Sequence, residues 1–160
     1  MKIPCIIALA CAVGVSAAQP LPVIPKPVNV RPGQGSFTFS ADTGIRHHRE
    51  LAAEAKLFAA DLERLTGSPP KLVSKEMRIM LPSEILLDLD PASDLPISGY
   101  RLEVTPKTIR IVGKDAAGAF NGTRTLLQLL PAEPGTASAR IDAVEITDHP
   151  RFAWRGMMMD

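Results

Sequence analysis

Cysteine is absent from all but the start of this chain, where Cys5 and Cys11 are the only two. No disulfide framework can form beyond that point, so the rest of the chain must fold around an ordinary hydrophobic core. Charge of one sign is also missing: 18 Lys and Arg stand against 17 Asp and Glu. That balance gives no electrostatic footing for nucleic acid or an anionic membrane surface. Aromatic residues are only 4% of the chain, with one Trp and one Tyr, which argues against a self-sufficient platform of flat rings for stacking sugars. No internal repeat and no His-Glu-x-x-His pattern occurs.

What is present begins with a leader. Lys2 precedes an apolar run over residues 3–15, and Ser16-Ala17-Ala18 follows. The run is shorter than the roughly 18–20 residues a membrane span needs, and the small residues suit a cleavage site, so residues 1–18 read as a secretory signal. The mature chain is then expected to start near Gln19 and to be exported, to a periplasm or the extracellular space, with no membrane span. Ala8-Leu9-Ala10 before Cys11 is a poor lipobox, which disfavours a lipid anchor.

Residues 19–36 are rich in proline and glycine, and each proline removes a backbone donor. This predicts an extended edge or a surface strap, running into a short strand where Phe37 and Phe39 flank Thr38. Leu51, Ala55, Phe58, Leu62 and Leu65 recur at helical spacing, predicting an amphipathic helix over residues 49–65 with Gly67 as its left-handed stop. Residues 77–81 and 84–90 read as strands. Strict alternation over residues 100–104 and again over 109–111, with turn chemistry between, predicts a hairpin whose Arg101, Glu103 and Arg110 face water. A second helix should start at the N-cap Asp115 and end at Leu130 before Pro131, with Phe120, Leu126, Leu127 and Leu130 filling the core. Gly118 and Gly122 share one face of it and each costs about 1 kcal/mol of helix propensity, which points to close backbone packing as compensation. A last strand is expected over residues 139–146. The order implies an α+β fold, a mostly antiparallel sheet with two main helices on one face.

Several residue groups invite chemistry. His47-His48-Arg49-Glu50 carries two potential metal ligands, but adjacent residues leave a helix about 100° apart and cannot clamp one ion, so a polar helix start is the better reading. Asp88 and Asp90, like Asp142 and Glu145, could be read as paired carboxylates, although alternation places them on a solvated strand face. Asn121-Gly122-Thr123 fits the glycosylation acceptor pattern inside a predicted helix, where a glycan would need an exposed side chain. Gly113 to Gly118 faintly suggests a phosphate loop, but Lys114 is followed by Asp115 instead of Ser or Thr, and that acid would repel phosphate.

The closing segment, His149-Pro150-Arg151-Phe152-Ala153-Trp154-Arg155-Gly156-Met157-Met158-Met159-Asp160, reads as the first buried strand of a further domain. The polypeptide is expected to continue past it. Together with Ile24-Pro25-Lys26-Pro27, Gly99-Tyr100-Arg101-Leu102, Gly118-Ala119-Phe120-Asn121-Gly122 and Thr125-Leu126-Leu127-Gln128-Leu129, it resembles exo-β-N-acetylhexosaminidases of glycoside hydrolase family 20. The likeness covers essentially the whole mature chain and lies in the linear order of the five pieces.

The resemblance implies a signal peptide over residues 1–18, an α+β accessory domain over 19–147, and over 148–160 the truncated start of a (β/α)8 catalytic barrel. It implies hydrolysis of terminal N-acetylglucosamine or N-acetylgalactosamine, with the substrate's own acetamido oxygen attacking the anomeric carbon. No catalytic residue falls within these 160 residues; the Asp-Glu pair is expected beyond Asp160, and the fragment alone should be inactive. Arg155 matches the family's arginine that hydrogen-bonds sugar hydroxyls, a role that suits the fixed fork of a guanidinium. No metal and no cofactor is implied. The expected partners are a terminal N-acetylhexosamine and the chain's own barrel. The competing expectation is a free-standing carbohydrate-binding or interaction module with the same fold.

Overall fold

The computed structural model describes residues 21–40, 42–130 and 139–152; the expected leader, Arg155 and all but the first residues of the expected barrel segment lie outside them. A strap over residues 21–28 leads into β1 (Asn29–Thr38) and β2 (Thr43–His47). A 3₁₀ turn (Arg49–Leu51) then opens α1 (Ala52–Thr66). Next come β3 (Lys71–Ser74), β4 (Ser83–Leu89), β5 (Tyr100–Val104), β6 (Thr108–Gly113), α2 (Ala116–Leu129) and β7 (Arg140–Asp148). The strands form one sheet in the order β1-β7-β5-β6-β4-β2-β3.

Strand alternation generates the core directly. Ile45, Ile85, Ile109, Val104 and Val144 lie abreast on neighbouring strands, and Leu87, Ile111, Leu102 and Ile146 form the next row. Each is at most 4% exposed, and burying such a side chain stabilises by about 1.5–3 kcal/mol. Leu51, Ala55, Phe58 and Leu62 from the first helical region and Ala119, Leu126 and Leu129 from α2 complete the same cluster. Both helices therefore cover one face of the sheet. The row crossing the other face reads Arg46, Leu86, Arg110, Glu103, Glu145, Arg31. Arg101, Glu103 and Arg110 are exposed there, as the alternation requires.

Both helices end as their sequences demand. Gly67 caps α1 in the left-handed conformation at φ 75°, and Asp115 caps α2 by accepting the Gly118 amide at 2.8 Å. The glycine face of α2 is pressed on the sheet: a Cβ on Gly122 would stand 2.5 Å from the Ile111 Cγ2 methyl. Phe120 and Leu127, however, are only half-buried; the Arg124 guanidinium covers the Phe120 ring at 4.7 Å. On the edge, β1 carries Pro32 and a bulge between Pro32 and Ser36, which an edge strand tolerates because one side of it needs no partner. Phe37 and Phe39 both turn inward and meet edge to face at 5.1 Å.

Two expectations are corrected. The sheet is mixed: β1, β7, β5 and β6 pair antiparallel, whereas β6, β4, β2 and β3 pair parallel. The parallel half arises because α1 carries the chain back over the sheet, so β3 runs beside β2 in the same direction, and β6 inserts next to β4 with its hairpin partner β5 on the far side. Residues 77–81 are not a strand. The Arg46 guanidinium takes the Met77 carbonyl at 2.9 Å and the Ile79 carbonyl at 2.5 Å, so a side chain satisfies acceptors that a neighbouring strand would otherwise claim. The strand that flanks β2 is instead β3.

Candidate functional site

His47 is the last residue of β2, and its Nδ1 lies 2.9 Å from the His48 carbonyl oxygen, to which it donates. The His48 ring accepts the Glu50 amide at 3.4 Å as the cap of the 3₁₀ turn. Both rings are thus engaged in starting a helix. Among the described residues no group of three His, Cys, Asp or Glu side chains is placed to share an ion.

The two candidate carboxylate pairs lie on different strands, Asp88 and Asp90 at the end of β4 and Asp142 and Glu145 on β7, and do not combine into one site. Asp88 lies on the outer face of β4, where Lys75 Nζ donates to both its oxygens at 2.9 and 2.7 Å and Arg110 stands at 3.8 Å. Burial alone would raise its pKa, but the Lys75 hydrogen bonds, the Leu89 amide and the two cations outweigh it and hold the carboxyl below the usual range. A group kept ionised in this way has no proton to give as a general acid. Glu145 and Asp142 belong to β7, three strands away in the sheet. At ~4.8 Å per strand that is about 14 Å, beyond the ~5–9.5 Å over which paired carboxylates act on a glycosidic bond.

Asn121 donates its Nδ2 to the Ser98 carbonyl at 3.1 Å. Thr123 is fully buried and donates its hydroxyl to the Phe120 carbonyl at 2.7 Å. The acceptor pattern is therefore spent on packing, which removes the glycosylation reading. Asp115 accepts both the Gly118 amide and, at 2.9 Å, the Ser98 amide, filling with its own carboxylate the place a phosphate would take. Two hollows among the described residues are equally unpromising. One, lined by Phe39, Thr43, Leu62, Thr66 and Pro70, holds about 40 Å³, room for a few waters. The other is a shallow trough of about 220 Å³ over the β1 bulge, bordered by Arg31, Gln34, Glu103 and Pro106.

The best-organised polar group escaped the sequence reading. Tyr100 Oη and Thr125 Oγ1 are 2.5 Å apart, joining β5 to α2 in the interior. Burial, reinforced by the nearby Asp148 carboxylate, pushes the phenol up to about 12. Asp148 also accepts the Val28 amide at 3.1 Å, and Gln128 Oε1 accepts the Ile24 amide at 2.8 Å. Two side-chain acceptors thus clip the strap against α2 and the end of β7. The inward position of Tyr100 was visible in the alternation; its partner was not, because Thr125 is 25 positions away. Arg155 lies outside the described residues.

These features define a two-layer α+β domain, a mixed sheet under two helices, with its polar groups committed to holding the fold. Residues 21–149 match the model of glycosyl hydrolase family 20, domain 2, and the chain belongs to that family. It is 34% identical over 149 residues to a β-hexosaminidase of Porphyromonas gingivalis, covering 86% of this chain and 18% of that protein. It is also 34% identical over 143 residues to a β-N-acetylhexosaminidase of Cellulomonas fimi, covering 86% and 28%. The solved exo-β-N-acetylglucosaminidase of Vibrio harveyi, in complex with N-acetylglucosamine, superposes with a TM-score of 0.71 at 29% identity over 92% of this chain and 22% of that one. The chain spans less than a third of the length of each of these relatives.

Among the described residues no helix is long and apolar enough to cross a membrane.

Proposed function

We propose that this chain is the N-terminal part of an exported exo-β-N-acetylhexosaminidase: a signal peptide over residues 1–18, an accessory domain over 19–147, and over 148–160 the beginning of a (β/α)8 catalytic barrel. The observation that carries this reading is the family match over residues 21–149, made to a domain that the named relatives carry within much longer chains.

On this reading the substrate is a terminal, non-reducing N-acetylglucosamine or N-acetylgalactosamine. Its acetamido oxygen attacks the anomeric carbon, and water then opens the resulting ring intermediate with retention of configuration. An Asp-Glu pair beyond residue 160 orients the acetamide and protonates the leaving oxygen. Arg155 donates to the sugar hydroxyls, two neighbouring ones fitting its fork of N–H groups. The accessory domain supplies no reacting group; its work is to support the barrel.

The test is to express the full-length polypeptide and assay release of a chromophore from an N-acetyl-β-glucosaminide and an N-acetyl-β-galactosaminide. Turnover by the full-length protein, with none from the 160-residue chain, is the expected result. Absence of turnover on both substrates would overturn the reading.

A further inference from the structure

Residues 77–81 carry the strand alternation Met77, Ile79, Leu81 and yet form no strand. They lie over the outer face of the sheet at its β3 edge, where a Cβ on Gly44 would stand 2.9 Å from Leu81 Cδ1. Val73, abreast of Arg46 on that face, is 1% exposed although it lies apart from the core under the helices. The hold on the segment is a single side chain. Arg46 donates its Nε to Glu84 at 3.0 Å and its two other nitrogens to the Met77 and Ile79 carbonyls. Among the described residues the amides of Arg78, Ile79, Met80 and Leu81 find no backbone acceptor. Met77, Arg78 and Met80 are exposed, and a segment with so few bonds and so little burial opens before the rest of the fold does.

Another partner for these residues lies next to them. Among the described residues β3 is an edge strand, paired on one side only, with β2. The Lys75 amide donates to the His47 carbonyl of β2 at 2.8 Å, so by alternation Ser74 and Leu72 turn their N–H and C=O groups to the free side. The Met77 amide already donates to the Ser74 carbonyl at 3.0 Å, closing the turn Ser74-Lys75-Glu76-Met77. That is the first rung of a hairpin. Its next hydrogen-bonded rung would set Ile79 opposite Leu72, both side chains toward the helix layer, with Met80 opposite Lys71 on the other face. The ladder stops after one rung for a physical reason. Lys75 and Glu76 both keep negative φ, and two-residue turns of that hand splay the strands they join, whereas the turns that favour hairpins need positive φ.

We infer that residues 77–81 are a latent eighth strand of this seven-stranded sheet, held over the outer face by Arg46 and able to swing onto the free edge of β3. The two positions exclude each other. Latched, the segment covers Val73 and leaves the edge open; paired, it closes the edge and uncovers Val73 and Gly44. The device therefore exchanges an open sheet edge, which invites pairing with other chains, for a small apolar patch on the sheet face.

The test places Lys71→Cys and Met80→Cys together in the full-length protein and follows disulfide formation under mild oxidation by peptide mapping. In the hairpin these two positions form a pair without hydrogen bonds, where facing side chains approach closely enough for the bond. Adding Arg46→Ala should speed the intrachain link at least ~10-fold, in proportion to the paired fraction. Lys75→Asn with Glu76→Gly, which supplies the positive-φ turn and leaves Arg46 in place, should also speed it. This second variant decides the matter if Arg46→Ala does not fold. Rates unchanged by the substitutions would overturn the inference. A link that forms only between two chains, and slows on dilution, would overturn it in favour of strand exchange between copies.

Discussion

Gly118 and Gly99 meet backbone to backbone: a Cβ on Gly118 would stand 2.2 Å from the Gly99 carbonyl oxygen. That oxygen also accepts the Lys114 amide at 2.9 Å, so it has no freedom to retreat. The pair fixes how closely α2 lies on the start of β5, and through it the position of Ser98 and Asn121.

Replacing Gly118 by alanine should therefore destabilise the fold despite the better helix propensity of alanine. We expect a loss of about 2 kcal/mol or more, from overpacking against backbone. Gly122→Ala should cost less, because the atoms it meets are the Ile111 methyl at 2.5 Å and the Tyr100 ring at 3.1 Å, side chains that can shift. Gly122→Leu should cost more than Gly122→Ala. Urea titrations of the three variants check the order; an unchanged midpoint for Gly118→Ala would remove the close-packing argument.

Tyr100 gives the fold an alkaline limit. Its pKa rises from the ordinary 10 to about 12 in the folded chain, chiefly through burial. Between those values the folded state holds the phenolic proton that the unfolded state has lost. The contribution is complete below pH 10 and is lost as pH rises through 10 to 12, about 3 kcal/mol in all. Tyr100→Phe should flatten this slope, while costing about 1 kcal/mol near pH 7 because Thr125 loses its partner. Unfolding free energies measured from pH 8 to 11 on both proteins test it; parallel curves would show that another group is responsible.

Asp88 acts at the acid end with the opposite sign. Its folded pKa lies below its ordinary value, so its contribution is present above that ordinary value and disappears as pH falls through the folded one. Lys75 and Arg110 are both about half exposed, and solvent screening limits the whole arrangement to about 1 kcal/mol. Asp88→Asn should cost up to that amount at pH 7, less in high salt, and should match the wild type once the pH is low enough to protonate the carboxyl. A penalty of equal size at all pH values would point to packing instead of charge.

These residues also show where sequence patterns carry and where they fail. Residues 100–104 alternate cleanly because one face of β5 is wet and the other is core, so both the strand and the inward Tyr100 are legible. The two helices are legible from spacing and from the Gly67 and Asp115 caps. The parallel half of the sheet is not, since it depends on pairings between strands far apart in sequence. β2 contains Gly44 and Arg46, and β3 has only four residues with Val73 alone buried, so neither stands out. Met77, Ile79 and Leu81 alternate like a strand, and only the distant Arg46 explains why their backbone is held otherwise. For the site, Arg155 is legible as a motif and nothing more, because residue type and order name it while it lies outside the described residues.

Arg155 is therefore best tested by function. If its guanidinium grips two sugar hydroxyls, Arg155→Ala in the full-length enzyme removes two charge-assisted hydrogen bonds, each about 1.5–3 kcal/mol. We expect kcat/KM on a chromogenic N-acetyl-β-glucosaminide to fall by about a hundredfold or more. Arg155→Lys should recover only part of the loss, since an ammonium keeps the charge without the fork. A second reading is available: Asp160 lies five residues further on, a length that would span roughly 16 Å if extended as the proposed strand, and barrel sites sit at the carboxyl ends of their strands. An arginine that merely plugged the barrel floor would lower the melting temperature on mutation and leave kcat/KM of the folded enzyme near normal. Measuring both quantities on Arg155→Ala separates the two, and a stable enzyme with near-normal kinetics would remove Arg155 from the substrate site.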